Sequence, residues 1–76
     1  MKRIEPNSFG YRLATVRKAR GYGQDYTADN LGVTVTTLSK WENNKTEPCA
    51  SELIKLCQLL DCSPAYLLGL KKAVQV

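Results

Sequence analysis

The sequence predicts an all-α protein, a compact bundle of five helices. Three observations favour this fold class. The chain has 76 residues, of which 43% are hydrophobic, with only five glycines and three prolines, a composition typical of one folded domain. Apolar residues recur at spacings of three and four along the chain, as on one face of a helix. Residues that typically begin or end a helix interrupt this pattern at short intervals, so every connection between helices is predicted to be short.

The first helix is predicted over residues 8–20. Phe9, Leu13 and Val16 follow the i, i+4, i+7 spacing of a helix face that packs on a core. Gly21 follows at the position where helices commonly end in a left-handed residue. These two signals together indicate a helix of about three turns.

A second and a third helix are predicted within residues 24–43, QDYTADNLGVTVTTLSKWEN. Gly32 lies where the chain must reverse, and glycine supplies a positive φ that other residues reach only at a cost. Thr34 is the expected N-cap of the third helix. Leu38 and Trp41 then recur at three-residue spacing on one face, so both side chains are predicted to lie in the core.

The outer face of the third helix suggests a binding partner. This face is short and polar and has one positive charge; its residues are Val35, Thr36, Thr37, Ser39 and Lys40. Such side chains suit the reading of base edges better than they suit plain solvation. A helix pair with the second member left free in this way docks in the major groove of DNA. The sequence therefore favours double-stranded DNA as the partner.

Two more helices complete the predicted bundle. The fourth begins after Pro48, and its apolar residues cover more than half of its circumference, which indicates packing on several sides. Ser63 and Pro64 are a cap and a first helical residue. They open a short last helix that continues to Leu70.

The charge distribution adds to the case for a polyanion. The net charge is +4, and six basic residues stand in the first twenty against Glu5 alone: Lys2, Arg3, Arg12, Arg17, Lys18 and Arg20. A basic N-terminal arm over residues 1–7 and a basic first helix fit a nucleic acid, although a solvated surface is the alternative. No apolar run approaches the ~20 residues of a membrane span, so a cytoplasmic protein without a membrane partner is expected.

The cysteines do not indicate a metal or cofactor site. Cys49, Cys57 and Cys62 form no CxxC pair, and the chain has no histidine. Cys57 and Cys62 are interpreted as reduced core residues, whereas Cys49 is expected to be exposed and leaves a redox role open. No nucleophile elbow or glycine-rich phosphate loop is present, so no enzyme is predicted.

From Phe9 to Leu70 the chain resembles the phage Cro/repressor-type helix-turn-helix family, which is found in bacterial and phage regulators. The resemblance rests on RLATVRKARGYGQ, GVTVTTLSKWENNK, EP and ELIKLCQLLDCSPAYLLGL. It implies a lambda-repressor-like domain over residues 8–70 with the helix-turn-helix at helices 2 and 3, followed by a tail over residues 71–76.

The candidate DNA-binding residues are Gln24, Thr34, Val35, Thr36, Thr37, Lys40, Asn43 and Lys45. By the resemblance, Gln24 meets a phosphate, while Asn43 and Lys45 lie where the family's loop meets the backbone. Val35, Thr36 and Lys40 fall on its base-reading positions; the lysine is long enough to reach O6 and N7 of a guanine. Alternatively, Lys40 only aids solubility and the threonines are surface residues or phosphate contacts.

The resemblance also implies an ion pair between Arg17 and Glu42.

This chain departs from the family pattern at three positions. Thr27 replaces a large aliphatic residue, so the interior has a small gap or is filled by a neighbouring tyrosine, Tyr22 or Tyr26. If a gap exists, Thr27→Leu or Thr27→Val is expected to raise the melting temperature. Gly23 replaces a capping residue, and Asn44 replaces a glycine in a conformation that asparagine tolerates.

Two functions follow as hypotheses. The first is a sequence-specific DNA-binding transcription regulator, most simply a repressor on an inverted-repeat operator. The alternative is a protein-interaction module, antitoxin-like or regulator-binding, which reuses the same fold. Two features favour DNA: the net positive charge of the chain, and the absence of carboxylates before Glu42 on the outer face of the third helix.

A homodimer on DNA is also expected, because one helix reads only about four or five base pairs. The apolar residues of the last helix and the tail are the predicted interface: Tyr66, Leu67, Leu68, Leu70 and Val74. The alternative is that Leu67, Leu68 and Leu70 only close the bundle.

Overall fold

The computed structural model describes residues 8–69, and within them the chain forms five α-helices joined by short connections. The helices are α1 (Phe9–Ala19), α2 (Gln24–Leu31), α3 (Val35–Glu42), α4 (Ala50–Leu60) and α5 (Pro64–Leu68). The all-helical bundle confirms the predicted fold class. The predicted arm at residues 1–7 and tail at residues 71–76 lie outside the described residues.

The helix starts follow the local sequence. Ser8, Thr34 and Ser63 are N-caps, and each side-chain hydroxyl accepts the backbone N–H of the residue three positions on, at 3.1 to 3.2 Å. Gly23 precedes α2 and has no side chain with which to cap it. A glycine N-cap costs only a few tenths of a kcal/mol relative to the best capping residues, so α2 still forms.

Two turns position α3. Gly32 has a φ of +75° and ends α2, and the N–H of Val33 donates to the carbonyl of Ala28 at 3.0 Å. After α3, Asn44 has a φ of +61°, the left-handed conformation that asparagine reaches more easily than most residues. Both turns agree with the prediction from sequence.

The core lies where α1 meets α3 and α5 and where α2 meets α3 and α4. Leucines from four helices are completely buried: Leu13, Leu38, Leu56, Leu60 and Leu67. Trp41 is 2% exposed, so it is a core residue, as the apolar spacing predicted. Burial of these side chains is the main stabilising term of the bundle.

Thr27 is hydrogen-bonded within the core. Its side chain is fully buried, and its hydroxyl donates to the carbonyl of Gly23 at 2.9 Å. Tyr22 packs against the core nearby. Both Thr27→Leu and Thr27→Val would remove this hydrogen bond, and leucine would also add volume at a buried position, so these terms oppose the stability gain expected if a gap exists.

The three cysteines occupy two environments. Cys57 is buried and Cys62 half-buried, both against the core, whereas Cys49 is exposed at the start of α4. Loss of solvation by burial raises the pKa of the Cys57 thiol and raises the pKa of Cys62 to about 11. These two thiols are therefore protonated near neutral pH.

This difference predicts selective thiol reactivity, because the thiolate is the nucleophile. At pH 8 we expect Cys49 to react rapidly with an aromatic disulfide reagent, while Cys57 and Cys62 react only after unfolding. The release of the coloured thiol, followed with time, measures this. Cys49→Ser should remove the whole fast phase; a fast phase that survives would contradict the assignment.

Residues 8–69 contain no group of three cysteine or acidic side chains placed to hold a metal ion. None of the five helices is long and apolar enough to cross a membrane.

Candidate nucleic-acid interface

The outer face of α3 carries the side chains predicted to read DNA. Val35 is 38% exposed, and Thr36, Lys40 and Asn43 are also exposed. The opposite face holds Leu38 in the core. An α-helix with its side chains is about 10 to 12 Å in diameter, which is close to the ~12 Å width of the major groove. The exposed face thus fits this groove in both size and chemistry.

Thr34 and Thr37 have structural roles at the start of this helix. The Thr34 hydroxyl accepts the N–H of Thr37 at 3.1 Å and donates to the Thr37 hydroxyl at 3.0 Å. Thr34 is exposed and Thr37 half-buried. Since their hydroxyls bond to each other, these two residues are weaker base-reading candidates than Val35 or Thr36.

The loop after α3 is held to the end of the helix. The Asn43 amide donates to the carbonyl of Ser39 at 2.8 Å, and the N–H of Lys45 donates to the carbonyl of Lys40 at 2.8 Å. Both Asn43 and Lys45 remain exposed. Their side chains lie at the C-terminal end of the face that carries Lys40.

A buried ion pair joins α1 to the end of α3. Arg17 Nε lies 2.6 Å from Glu42 Oε2 and Arg17 Nη2 lies 3.1 Å from Glu42 Oε1. The guanidinium also donates to the carbonyl of Tyr22 at 2.9 Å. The two charged side chains are 8% and 7% exposed. This fork-like geometry holds the end of α3 against α1.

Gln24 belongs to the same network. Its amide nitrogen donates to Glu42 Oε1 at 2.9 Å, which the sequence did not predict. An amide nitrogen has two N–H groups, so one remains for a phosphate oxygen outside the protein. Glu42 therefore orients Gln24 at the first turn of α2, beside the recognition face.

Two further contacts that position α3 were missed. The Asn44 side chain accepts the N–H of Gly10 and donates to the Ser8 hydroxyl, both at 2.9 Å. A Cβ on Gly10 would lie 2.3 Å from the carbonyl oxygen of Glu42, so only glycine permits the observed approach of α1 to α3. The sequence did contain a signal for this contact, because Gly10 lies inside a helix with periodic apolar residues. A glycine there lowers helix stability, so its presence suggests that close packing requires it.

The residues predicted to form the dimer interface differ in how far they are buried. Leu67 is completely buried in the core, which corrects its assignment to an interface, because a fully buried side chain has no surface for a partner to contact. Tyr66 is half-buried, with the Arg12 guanidinium carbon 5.2 Å from its ring centroid. Leu68 is 51% exposed. Leu70 and Val74 lie outside the described residues.

Comparison with known proteins agrees with this geometry. The helix-turn-helix family model matches residues 13–67. A prophage-derived uncharacterised HTH-type transcriptional regulator, YonR of Bacillus subtilis, is 42% identical over 60 residues, which are 79% of this chain and 56% of YonR. Repressor protein C2 of Salmonella phage P22 is 37% identical over 59 residues, 78% of this chain and 27% of that protein.

A solved structure of the P22 c2 repressor in complex with a synthetic operator superimposes with a TM-score of 0.78 at 35% identity, and the match covers 83% of this chain and 96% of that one. The chain spans between about a quarter and about half of the length of these curated relatives. The fold, the motif and the matched family together lead to one conclusion. The chain belongs to the Cro/repressor-type helix-turn-helix family.

Proposed function

We propose that this protein is a sequence-specific, double-stranded DNA-binding transcription regulator, most simply a repressor that occupies an inverted-repeat operator. The observation that carries the proposal is the outer face of α3, which is exposed, has Lys40 as its charge, and is held rigidly by the Arg17–Glu42 pair. The similarity to a repressor solved with its operator supports it. In this function the helix enters the major groove and contacts base edges.

The candidate residues have one of two roles in the proposal. Lys40 donates to O6 and N7 of a guanine, and the methyl groups of Val35 and Thr36 pack on a thymine methyl. Gln24, Asn43 and Lys45 contact phosphates and set the register of α3 on the duplex. The proposal includes no enzymatic step and no cofactor, and a protein acting on bacterial or phage DNA works in the cytoplasm.

Selection of bound sequences from a random duplex pool, followed by fluorescence anisotropy, tests the function. We expect enrichment of one inverted-repeat sequence and tight, salt-dependent binding to it. If the protein is not retained on any duplex at low salt, DNA binding is wrong, and the protein-interaction module becomes the better interpretation of the same fold.

Lys40→Ala and Lys45→Ala should separate base reading from phosphate binding. Lys40→Ala is expected to weaken operator binding by about 1 to 3 kcal/mol and to relax the preference at one base pair per half-site. Lys45→Ala should weaken operator and random DNA alike and reduce the salt slope by roughly 0.9. An equal loss on both duplexes in Lys40→Ala would instead make Lys40 a phosphate contact.

We further propose that two copies bind one operator. The eight-residue α3 reads too few base pairs for useful specificity alone, and Leu68 on α5 is a large apolar side chain left exposed. The two copies of α3 should lie about 34 to 36 Å apart, one turn of B-DNA. Sedimentation of the complex should give two proteins per operator, and Leu68→Glu should weaken the dimer. One protein per operator at saturation would refute this part.

A further inference from the structure

A row of exposed side chains on α1 borders α3. Tyr11, Thr15 and Lys18 follow i, i+4, i+7 spacing and therefore share one face of α1. Together with Ala14 they line an open depression of about 340 Å³, whose remaining walls are Glu42 and Asn43 from α3 and its cap. The small Ala14 side chain leaves the space between the two helices open.

The chemistry of this depression suits an anion. The exposed groups are a phenol, a hydroxyl and an ammonium, each of which can donate a hydrogen bond, and the Asn43 amide, which already donates to the Ser39 carbonyl. The one carboxylate in the wall, Glu42, already accepts from Arg17 and Gln24, so its charge is compensated. Tyrosine, threonine, lysine and asparagine are side chains that commonly contact DNA phosphates.

The position of the row relative to α3 is rigid. The carbonyl of Glu42 lies so close to Gly10 that a Cβ would reach 2.3 Å from it, and the Asn44 side chain bonds to Ser8 and Gly10. These contacts hold the first turns of α1 against the end of α3. A preorganised surface of this kind loses little entropy on binding.

The depression continues the proposed DNA interface. Asn43 belongs both to the outer face of α3 and to the wall of the depression. A helix in the major groove has a sugar-phosphate backbone along each side of it. The strand that passes Asn43 would therefore run next to the row on α1.

We propose that Tyr11, Thr15 and Lys18 form a second phosphate-binding surface, which contacts the DNA backbone beyond the base pairs that α3 reads. This inference rests on the proposed DNA-binding function. It assigns to α1 a positioning role: the surface adds affinity for every duplex and lengthens the bound site, but it reads no bases.

The test compares Lys18→Ala with Lys55→Ala, which removes the same charge from an exposed site on α4. By anisotropy at low salt, Lys18→Ala should weaken binding to operator and random duplexes by about threefold to tenfold and reduce the salt slope by roughly 0.9. Lys55→Ala should leave both nearly unchanged. Thr15→Ala and Tyr11→Phe should show smaller losses, and thermal melts should be similar for all four variants.

Duplexes with single methylphosphonate linkages, which lack the phosphate charge, locate the contact. One such linkage outside the bases read by α3 should weaken wild-type binding, and the same linkage should have no further effect on Lys18→Ala. If wild-type protein binds DNA but Lys18→Ala and Lys55→Ala behave alike, the α1 surface is wrong and the proposed function stands. If wild-type protein binds no duplex, both fail together.

Discussion

Glu42→Ala should lower the free energy of unfolding by about 3 to 5 kcal/mol, because it leaves a buried arginine without its counter-ion. Arg17 is 8% exposed, and two of its three observed hydrogen bonds go to Glu42. A domain of this size is stable by only about 5 to 15 kcal/mol, so the variant should lose a large fraction of its stability. Urea denaturation followed by Trp41 fluorescence measures the loss.

The matched control is Glu47→Ala, which removes an exposed carboxylate five residues along the chain. It should change stability by less than about 0.5 kcal/mol. The double variant Arg17→Met, Glu42→Leu should recover most of the loss, because burying two apolar side chains avoids desolvating two charges. If Glu42→Ala and Glu47→Ala have equal effects, the buried pair contributes nothing net. Loss of Glu42 should also release Gln24, its second hydrogen-bond partner.

Gly10→Ala should be destabilising by about 1 to 3 kcal/mol through overpacking. The added Cβ would lie 2.3 Å from the Glu42 oxygen and 2.7 Å from the Trp41 oxygen, both rigid backbone atoms. To accommodate it α1 must move away from α3, which also strains the bonds from Asn44. The melting temperature and the urea midpoint report the change.

The sign of this effect is the decisive observation. At an unhindered helical position glycine to alanine stabilises by roughly 0.5 to 1 kcal/mol, so a gain in Gly10→Ala would show that the two helices are not in such close contact. Gly23→Ala is the control, since a Cβ there meets nothing within 4 Å. It should cost less than about 1 kcal/mol, which is the difference between glycine and alanine as an N-cap.

Local features of this protein could be predicted from the sequence. The hydroxyl caps at Thr34 and Ser63, the left-handed turn at Gly32, and the apolar stripe that buries Leu38 and Trp41 all appear where the pattern placed them, and Asn44 has the left-handed conformation that the resemblance implied. Their energetics depend on residues within about four positions of one another, so a pattern read along the chain contains the necessary information. The exposed face of α3 follows directly, because a helix that buries one side exposes the other.

Contacts between helices were decided by the tertiary structure. Asn44 was noted for its backbone conformation, yet its side chain holds Gly10, 34 residues away. Gln24 was assigned to a phosphate, yet it also bonds to Glu42, and Leu67 was placed at an interface but is fully buried. Burial and hydrogen bonding at these positions depend on the distance and angle at which helices cross. Those quantities are set by the packing of the whole core. The sequence alone therefore determined the helices and the outer face of α3. The assembled bundle determined how firmly that face is held.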